Sequence, residues 1–360
     1  MSFAQGTQPA QVSAPTVEPA GPELILLLSV ELSTETGNAA TLAGRVIRTE
    51  MMSPGDRLEL EPRVSRLRKE LGIRYVAPTS LLGFQLATQE VTVAETSRFI
   101  AEQRKLSTAQ ASARALWSRA TSMGIVGIGV GAEALRLDNQ PNSAPYLAEY
   151  ISRHGRTSHN IPLLAFWAND KRIGDQVLPS GHFNRLNIEW GTRAGSVSYT
   201  KADLQHQSYL EIHPRLAAGL NASVGALRGL NGDLTPLTKR YFGGGVGTVR
   251  GYESGAISPT DLSGSGIGAN RQALLTVEAL WHAFSIGETP VILSAFADYG
   301  RFWDVGSSSV ANDTDASASS YGLGVSLPVR IGLVRFSFAR PRDTDLRTQR
   351  FQFDARANWR

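Results

Sequence analysis

A chain of 360 residues without a single cysteine has neither a disulfide framework nor a thiolate metal site, and catalysis by a cysteine nucleophile is excluded. The net charge of +4 is small for this length and no long Lys/Arg run occurs, so a nucleic-acid-binding surface has no support. With 42% hydrophobic and 19% charged residues and a mean hydropathy of −0.15, the average is that of a soluble protein, and equally that of a membrane barrel with one apolar and one polar face.

Residues 1–22 carry Pro9, Pro15, Pro19 and Pro22 among small polar residues without periodicity, and are expected to form a disordered leader. Met1 to Gln5 is too short for a signal peptide, which needs an apolar stretch of about 7 to 15 residues. At Glu23 the pattern changes. Leu24, Leu26, Leu28, Val30 and Leu32 share one face of an extended segment, while the other face turns polar at Ser29, Glu31 and Ser33. No apolar run approaches the ~20 residues of a membrane helix, whereas this one has the length of a spanning strand.

After a turn at Thr34 to Gly37, further strands are expected at 39–48, 57–66, 72–77, 83–93, 107–118, 125–137, 160–168, 183–191, 196–209, 216–228, 271–281, 291–302, 320–327, 333–340 and 349–359. Together with 23–33 that makes sixteen, an even number as bacterial outer-membrane barrels require. The pattern is clearest near the end. Phe351, Phe353, Ala355, Ala357 and Trp359 would face lipid, and Arg350, Gln352, Asp354, Arg356 and Asn358 the lumen. Val334, Phe336 and Phe338 against Arg335 and Ser337 repeat the scheme, as do Leu186, Ile188 and Trp190 against Arg185, Asn187 and Glu189. The six tryptophans lie near strand ends, where an aromatic girdle belongs. Alternation alone leaves a soluble β-sandwich open.

Gly127, Gly129 and Ala132 satisfy G-x-G-x-x-A, but a strand-like run follows where a dinucleotide site needs a helix, so these glycines read as thinning one barrel strand. The six histidines form no helical ligand pair, no metal site is expected, and neither a G-x-S-x-G elbow nor a P-loop occurs. No cofactor and no bond-making chemistry are expected.

One stretch is unlike the rest. From Arg240 to Asp261, glycine recurs at 243, 244, 245, 247, 251 and 255, a density that suits a long folded loop rather than a helix or strand. At its centre, Val249-Arg250-Gly251-Tyr252 offers a guanidinium fork suited to a pocket of carboxylates. The alternative is an exposed loop arginine. By strand parity Asp298 shares a face with Ser294 and Phe296, and Glu278 one with Gln272 and Thr276, so both carboxylates are able to point inward.

Arg240-Tyr-Phe-Gly-Gly, Val249-Arg-Gly-Tyr and Ile257-Ser-Pro resemble the loop-six signature of the BamA/TamA superfamily of outer-membrane β-barrel assembly and translocation proteins. Phe296-Ala-Asp298-Tyr-Gly300 resembles the family's F-x-D-x-G strand, Phe351 to Trp359 its closing strand, and Ser33-Thr-Glu-Thr-Gly37 its first hairpin, so the likeness covers about 23–359. The resemblance implies an all-β fold: a sixteen-stranded antiparallel transmembrane barrel over residues 23–360, with a long loop folded into the lumen. It implies that Gly243, Gly244 and Gly245 shape that loop and that Arg250, with Gly251 and Tyr252 beside it, grips Asp298 and Glu278 on the inner wall. It further implies an outer-membrane location in a Gram-negative-type cell or derived organelle, a lateral seam between first and last strands, and insertion or translocation of client outer-membrane or secreted proteins. Partners would be the lipid bilayer, the clients and a periplasmic or POTRA-bearing protein, since only the leader precedes strand one here. A two-partner-secretion-type transporter and a passive or structural pore remain as alternatives.

Overall fold

The computed structural model describes residues 24–33, 40–66, 68–101, 104–138, 144–173, 178–306, 308–329 and 332–357. The expected leader, most of the first turn and Trp359 lie outside them.

Among the described residues sixteen wall strands follow one another around a single antiparallel sheet. The first seven are β1 (Leu24–Ser33), β2 (Ala40–Thr49), β3 (Arg57–Ser65), β4 (Arg68–Pro78), β5 (Leu86–Ala101), β6 (Arg104–Thr121) and β7 (Gly124–Asp138). Next, β8 comes in two pieces, Thr157–Asn160 and Pro162–Asp170, both paired with β7 and broken at Ile161, where Pro162 has no N–H to donate. The remainder are β9 (Gly181–Gly191), β10 (Tyr199–His213), β11 (Leu216–Gly229), β12 (Arg271–Ile286), β13 (Thr289–Trp303), β14 (Asp315–Val329), β15 (Gly332–Pro341) and β16 (Phe351–Ala357).

Each strand pairs with its neighbour in sequence, and the ring closes where β16 meets β1. Several strands outrun their expected bounds: β6 extends to Arg104 and Thr121, and β14 begins at Asp315 rather than 320. The expected bounds stop where apolar alternation stops. The pairing continues beyond it, because an inter-strand ladder needs backbone groups and not apolar side chains.

The faces alternate as a membrane barrel demands. Ile188, Trp190, Leu323, Phe338 and Phe351 are exposed outward, while Ser294, Asp298, Ser337 and Gln352 are buried inward. In β7 the inward glycines serve packing: a Cβ on Gly127 would stand 2.3 Å from the Phe166 ring, and one on Gly129 2.4 Å from Leu116. They accept the side chains of neighbouring strands, and no helix follows them in the manner of a nucleotide site.

Long connections gather at one end of the barrel. Between β7 and β8 stands a helix that the sequence reading left within a loop, α1 (Pro145–His154), with Pro145 in its first turn and Gly155 at its C-terminus. Its buried Tyr146, Leu147 and Tyr150 pack with Leu135, Leu137, Val197, Leu234, Leu237, Ile267 and Val305, capping this end with a core drawn from four connections and β7. At ten residues with apolar positions 146, 147, 150 and 151, the helix carries too short a period to stand out from a polar connection. The longest connection, 230–270, joins β11 to β12 and turns back into the barrel. There Val249, Tyr252 and Ile257 form a core with Tyr199, Leu227 and Phe302 of the wall.

Candidate functional site: a loop anchored inside the barrel

The strand β13 presents Phe296, Asp298 and Gly300 inward at successive same-face positions, and β12 places Glu278 directly opposite Phe296 and Thr276 opposite Asp298. Into this surface the loop inserts Arg250. Its Nε and Nη2 donate to the two oxygens of Asp298, both at 2.8 Å, and Nη1 donates to Glu278 at 3.0 Å. The Arg250 backbone N–H donates to Asp298 Oδ2 at 3.0 Å, so the carboxylate holds the chain as well as the side chain. The guanidinium lies over the Phe296 ring, 3.4 Å from its centre.

Each residue of F-x-D-x-G thus meets the loop. Phe296 supplies a π-face and Asp298 two acceptors, while Gly300 leaves room for Val249, since a Cβ there would stand 2.6 Å from Val249 Cγ2. Arg250 is 5% exposed and Asp298 3%. Burial alone would pull the guanidinium down, but its bonds to Asp298 and the charges of Asp298 and Glu278 hold it above the ordinary arginine value.

The flanking residues complete the anchorage. Gly251 has φ +93°, and a Cβ there would press on Ala339 at 3.0 Å. Tyr252 is fully buried; its hydroxyl donates to Ser319 O at 3.0 Å and accepts from the Asp343 N–H at 3.1 Å. Gly251-Tyr252 pairs with Thr348-Gln349, which one residue, Arg350, separates from β16. Of the three loop glycines, Gly243 bridges to Ile257, Gly245 donates its N–H to Tyr252 O at 3.0 Å, and Gly244 at φ +100° passes so close to Glu253 O that a Cβ would stand 2.0 Å away. Phe351 and Phe353 lie on β16, Phe351 exposed and each ring within stacking reach of Phe336.

Three groups of residues were not singled out as sites in the sequence. Arg240, 1% exposed, binds Thr235 Oγ1 at 2.9 Å and the carbonyls of Ile267, Gly268 and Val305, and lies over the Tyr146 ring of α1, so it joins loop to cap. Lys239 grips a different stretch of the wall, with Nζ 2.9 Å from Glu133 on β7 and 2.7 Å from Glu189 on β9. The loop is therefore held at two places. Finally, Glu59, Arg74, Glu90 and Arg114 oppose one another in register across β3 to β6 as an inward row of alternating sign. All four lie within the expected strands, but only the strand register sets them opposite one another. Below the loop the walls surround a cavity of about 840 Å³, lined by charged and apolar side chains together.

With this geometry in hand, comparison with known proteins places the chain. The Omp85 superfamily domain matches residues 54–356. Over 268 residues the chain is 25% identical to the outer membrane protein assembly factor BamA of Neisseria meningitidis serogroup B, covering 63% of this chain and 33% of that protein. Over 169 residues it is 31% identical to BamA of Nitratidesulfovibrio vulgaris, covering 45% of this chain and 21% of that one. The chain thus matches a third or less of the length of these curated relatives. In fold it resembles the crystal structure of Haemophilus ducreyi BamA lacking POTRA domains 1–3 at a TM-score of 0.81 and 14% identity, covering 92% of this chain and 70% of that one. It also resembles CdiB from Escherichia coli, at a TM-score of 0.62 and 12% identity over 95% of this chain and 64% of that one. A closed sixteen-strand wall, an inward loop anchored through Val-Arg-Gly-Tyr and a family match over most of its length carry one conclusion: the chain belongs to the Omp85 superfamily and is an outer-membrane β-barrel.

Proposed function

We propose that this barrel inserts client outer-membrane proteins, or passes secreted proteins, by adding a client strand at the seam between β1 and β16. The observation that carries this reading is the imbalance at the closure. Nine residue pairs join β1 to β2 and seven join β15 to β16, but only Leu32↔Ala355 and Ser33↔Asp354 join β1 to β16 among the described residues. An edge with unpaired N–H and C=O groups is a template for another strand, and β-augmentation is the physical means by which a client would be received.

In this reading residues 1–22 are a leader and 23–360 the barrel, the capped end faces outward, and the turn at 50–56 faces the periplasm. A periplasmic or POTRA-bearing partner delivers clients to that face. The work is rearrangement of strands, without making or breaking covalent bonds. Arg250, Gly251 and Tyr252, held by Asp298 and Glu278 and shaped by Gly243, Gly244 and Gly245, keep the loop against the wall farthest from the charged ladder.

The test is insertion of a client barrel into liposomes containing this chain, with and without a disulfide between Leu32→Cys and Ala355→Cys in the cysteine-free background. Locking the seam should abolish insertion and reduction should restore it. Full insertion with the seam locked would count against lateral opening, and a steady conductance without any insertion would favour a passive pore.

A further inference from the structure

Alternation of faces forbids a strand to slip by one residue, because every inward side chain would turn to lipid. A slip by two residues preserves every face, so alternation does not oppose it. The closing strand β16 is open to such a slip on its seam edge, where two described pairs are all that hold it. Fixing its register takes a contact that belongs to one position.

Within β16 Gln352 makes that contact, just after the pairing of Thr348-Gln349 with Gly251-Tyr252 has brought the chain to the same loop. It is 2% exposed, and its Nε2 donates to the carbonyl of Tyr252 at 2.9 Å. That carbonyl is itself immobilised: it accepts the Gly245 N–H, the Tyr252 hydroxyl is fixed at Ser319 and Asp343, and Arg250, two residues earlier, is bound to Asp298 and Glu278. The wall strands β12 and β13 therefore hold the loop, and the loop holds one residue of β16.

We propose that Gln352 is a register latch, which through Tyr252 O refers the closing strand to the Arg250 anchor and so sets where β16 presents its seam edge. A slip by two residues carries Gln352 about 7 Å along the strand, out of hydrogen-bond reach. The two slips are unequal. One brings Asp354 to the Tyr252 carbonyl, acceptor against acceptor; the other brings Arg350, a donor. Loss of the latch therefore releases the strand in the second direction. The lateral-seam reading supplies the use of such a latch, but the latch is tested on the barrel alone.

The experiment is disulfide mapping on both edges of β16 in the folded, cysteine-free barrel. In the parent, Leu32→Cys should cross-link with Ala355→Cys, and Phe336→Cys with Phe353→Cys. In Gln352→Leu a second population should appear on both edges together, Leu32→Cys with Phe353→Cys and Phe336→Cys with Phe351→Cys, while heat-modifiable migration is retained. Unchanged pairs in folded Gln352→Leu, or a shift on the seam edge alone, would overturn the latch. If Gln352→Leu does not fold, Arg250→Lys carries the test: it weakens the anchor without touching β16 and should give the same two-edge shift at a smaller share. An Arg250→Lys barrel that keeps the parent pairs on both edges overturns the dependence on the anchor. A register shift in a chain that inserts no client would remove the insertion reading and leave the latch standing.

Discussion

On β2 to β6 the inward charges form a ladder, in which Glu59, Glu61, Glu70, Arg45, Arg63 and Arg74 each meet more than one partner of opposite sign. Glu59 alone meets Arg45 at 2.7 Å, Arg57 at 2.7 Å and Arg74 at 3.2 Å, and Arg74 reaches on to Glu90 at 3.7 Å. On β12 and β13 the arrangement is reversed: one cation, Arg250, serves two carboxylates, and nothing else among the described residues is paired with either of them in an ion pair. Arg74, Glu90 and Arg114 of the ladder line the cavity, whereas Arg250 and Asp298 of the anchor are buried beneath the loop. Redundancy therefore protects the first wall, and the second depends on a single side chain. The free energy lost on removing a buried charge is set by what it leaves unpaired, rather than by how many contacts were drawn to it.

Removing Arg250 is the strongest way to break the comparison. Arg250→Ala strands Asp298 and Glu278 together and should cost roughly 3 to 5 kcal/mol, read as denaturant resistance of the barrel and as protease cleavage within 243–258. Arg250→Lys should recover only part of this, because an ammonium cannot make the bidentate contact with Asp298. The double variant Arg250→Ala with Asp298→Ala should lose less than the sum of the singles; strict additivity would show that the pair does not act as a unit.

Lys239→Ala should fall between the two walls, at about 1 to 3 kcal/mol, because Glu133 keeps Arg114 at 2.9 Å and Glu189 keeps the Tyr199 hydroxyl. Protease sensitivity should then appear near residue 239 and not at 250. Within the ladder, Arg57→Ala should cost only about 0 to 1 kcal/mol, since Glu59 retains Arg45 and Arg74. A loss as large as that of Arg250→Ala would end the distinction between ladder and anchor.

The smallest effect is a pH dependence. Asp56, in the turn between β2 and β3, is bound by neutral donors: the N–H groups of Met51, Met52 and Ser53 and the hydroxyl of Tyr75. Burial pushes its carboxyl up, and these bonds more than reverse that, to about 2 against an ordinary 3.8. A carboxylate lowered in the folded state stabilises fully above its unfolded value and loses that contribution as pH falls through its folded one. The stability difference between the parent and Asp56→Asn should therefore be constant above about pH 5 and shrink as pH falls toward 2. A difference that does not change with pH would mean that the ionised form is not what the turn holds.

What the sequence by itself determined here is whatever repeats or is spelled locally. Period-two alternation marked the sixteen strands, parity allowed Glu278 and Asp298 to point inward, and the family resemblance joined them to a glycine-flanked arginine with Tyr252 beside it. Only the tertiary structure decided what that loop touches over long separations. Its path brings Phe296 under the guanidinium, Lys239 between Glu133 and Glu189, Arg240 against Tyr146 of a helix too short to announce itself, and Tyr252 O to Gln352, 100 residues further along the chain. The physical reason is that alternation constrains which way a side chain points but not how far along its strand it stands, and each of these contacts is a matter of height along the wall. Height is set by the stagger of sixteen strands acting together, and no single stretch of the chain encodes it.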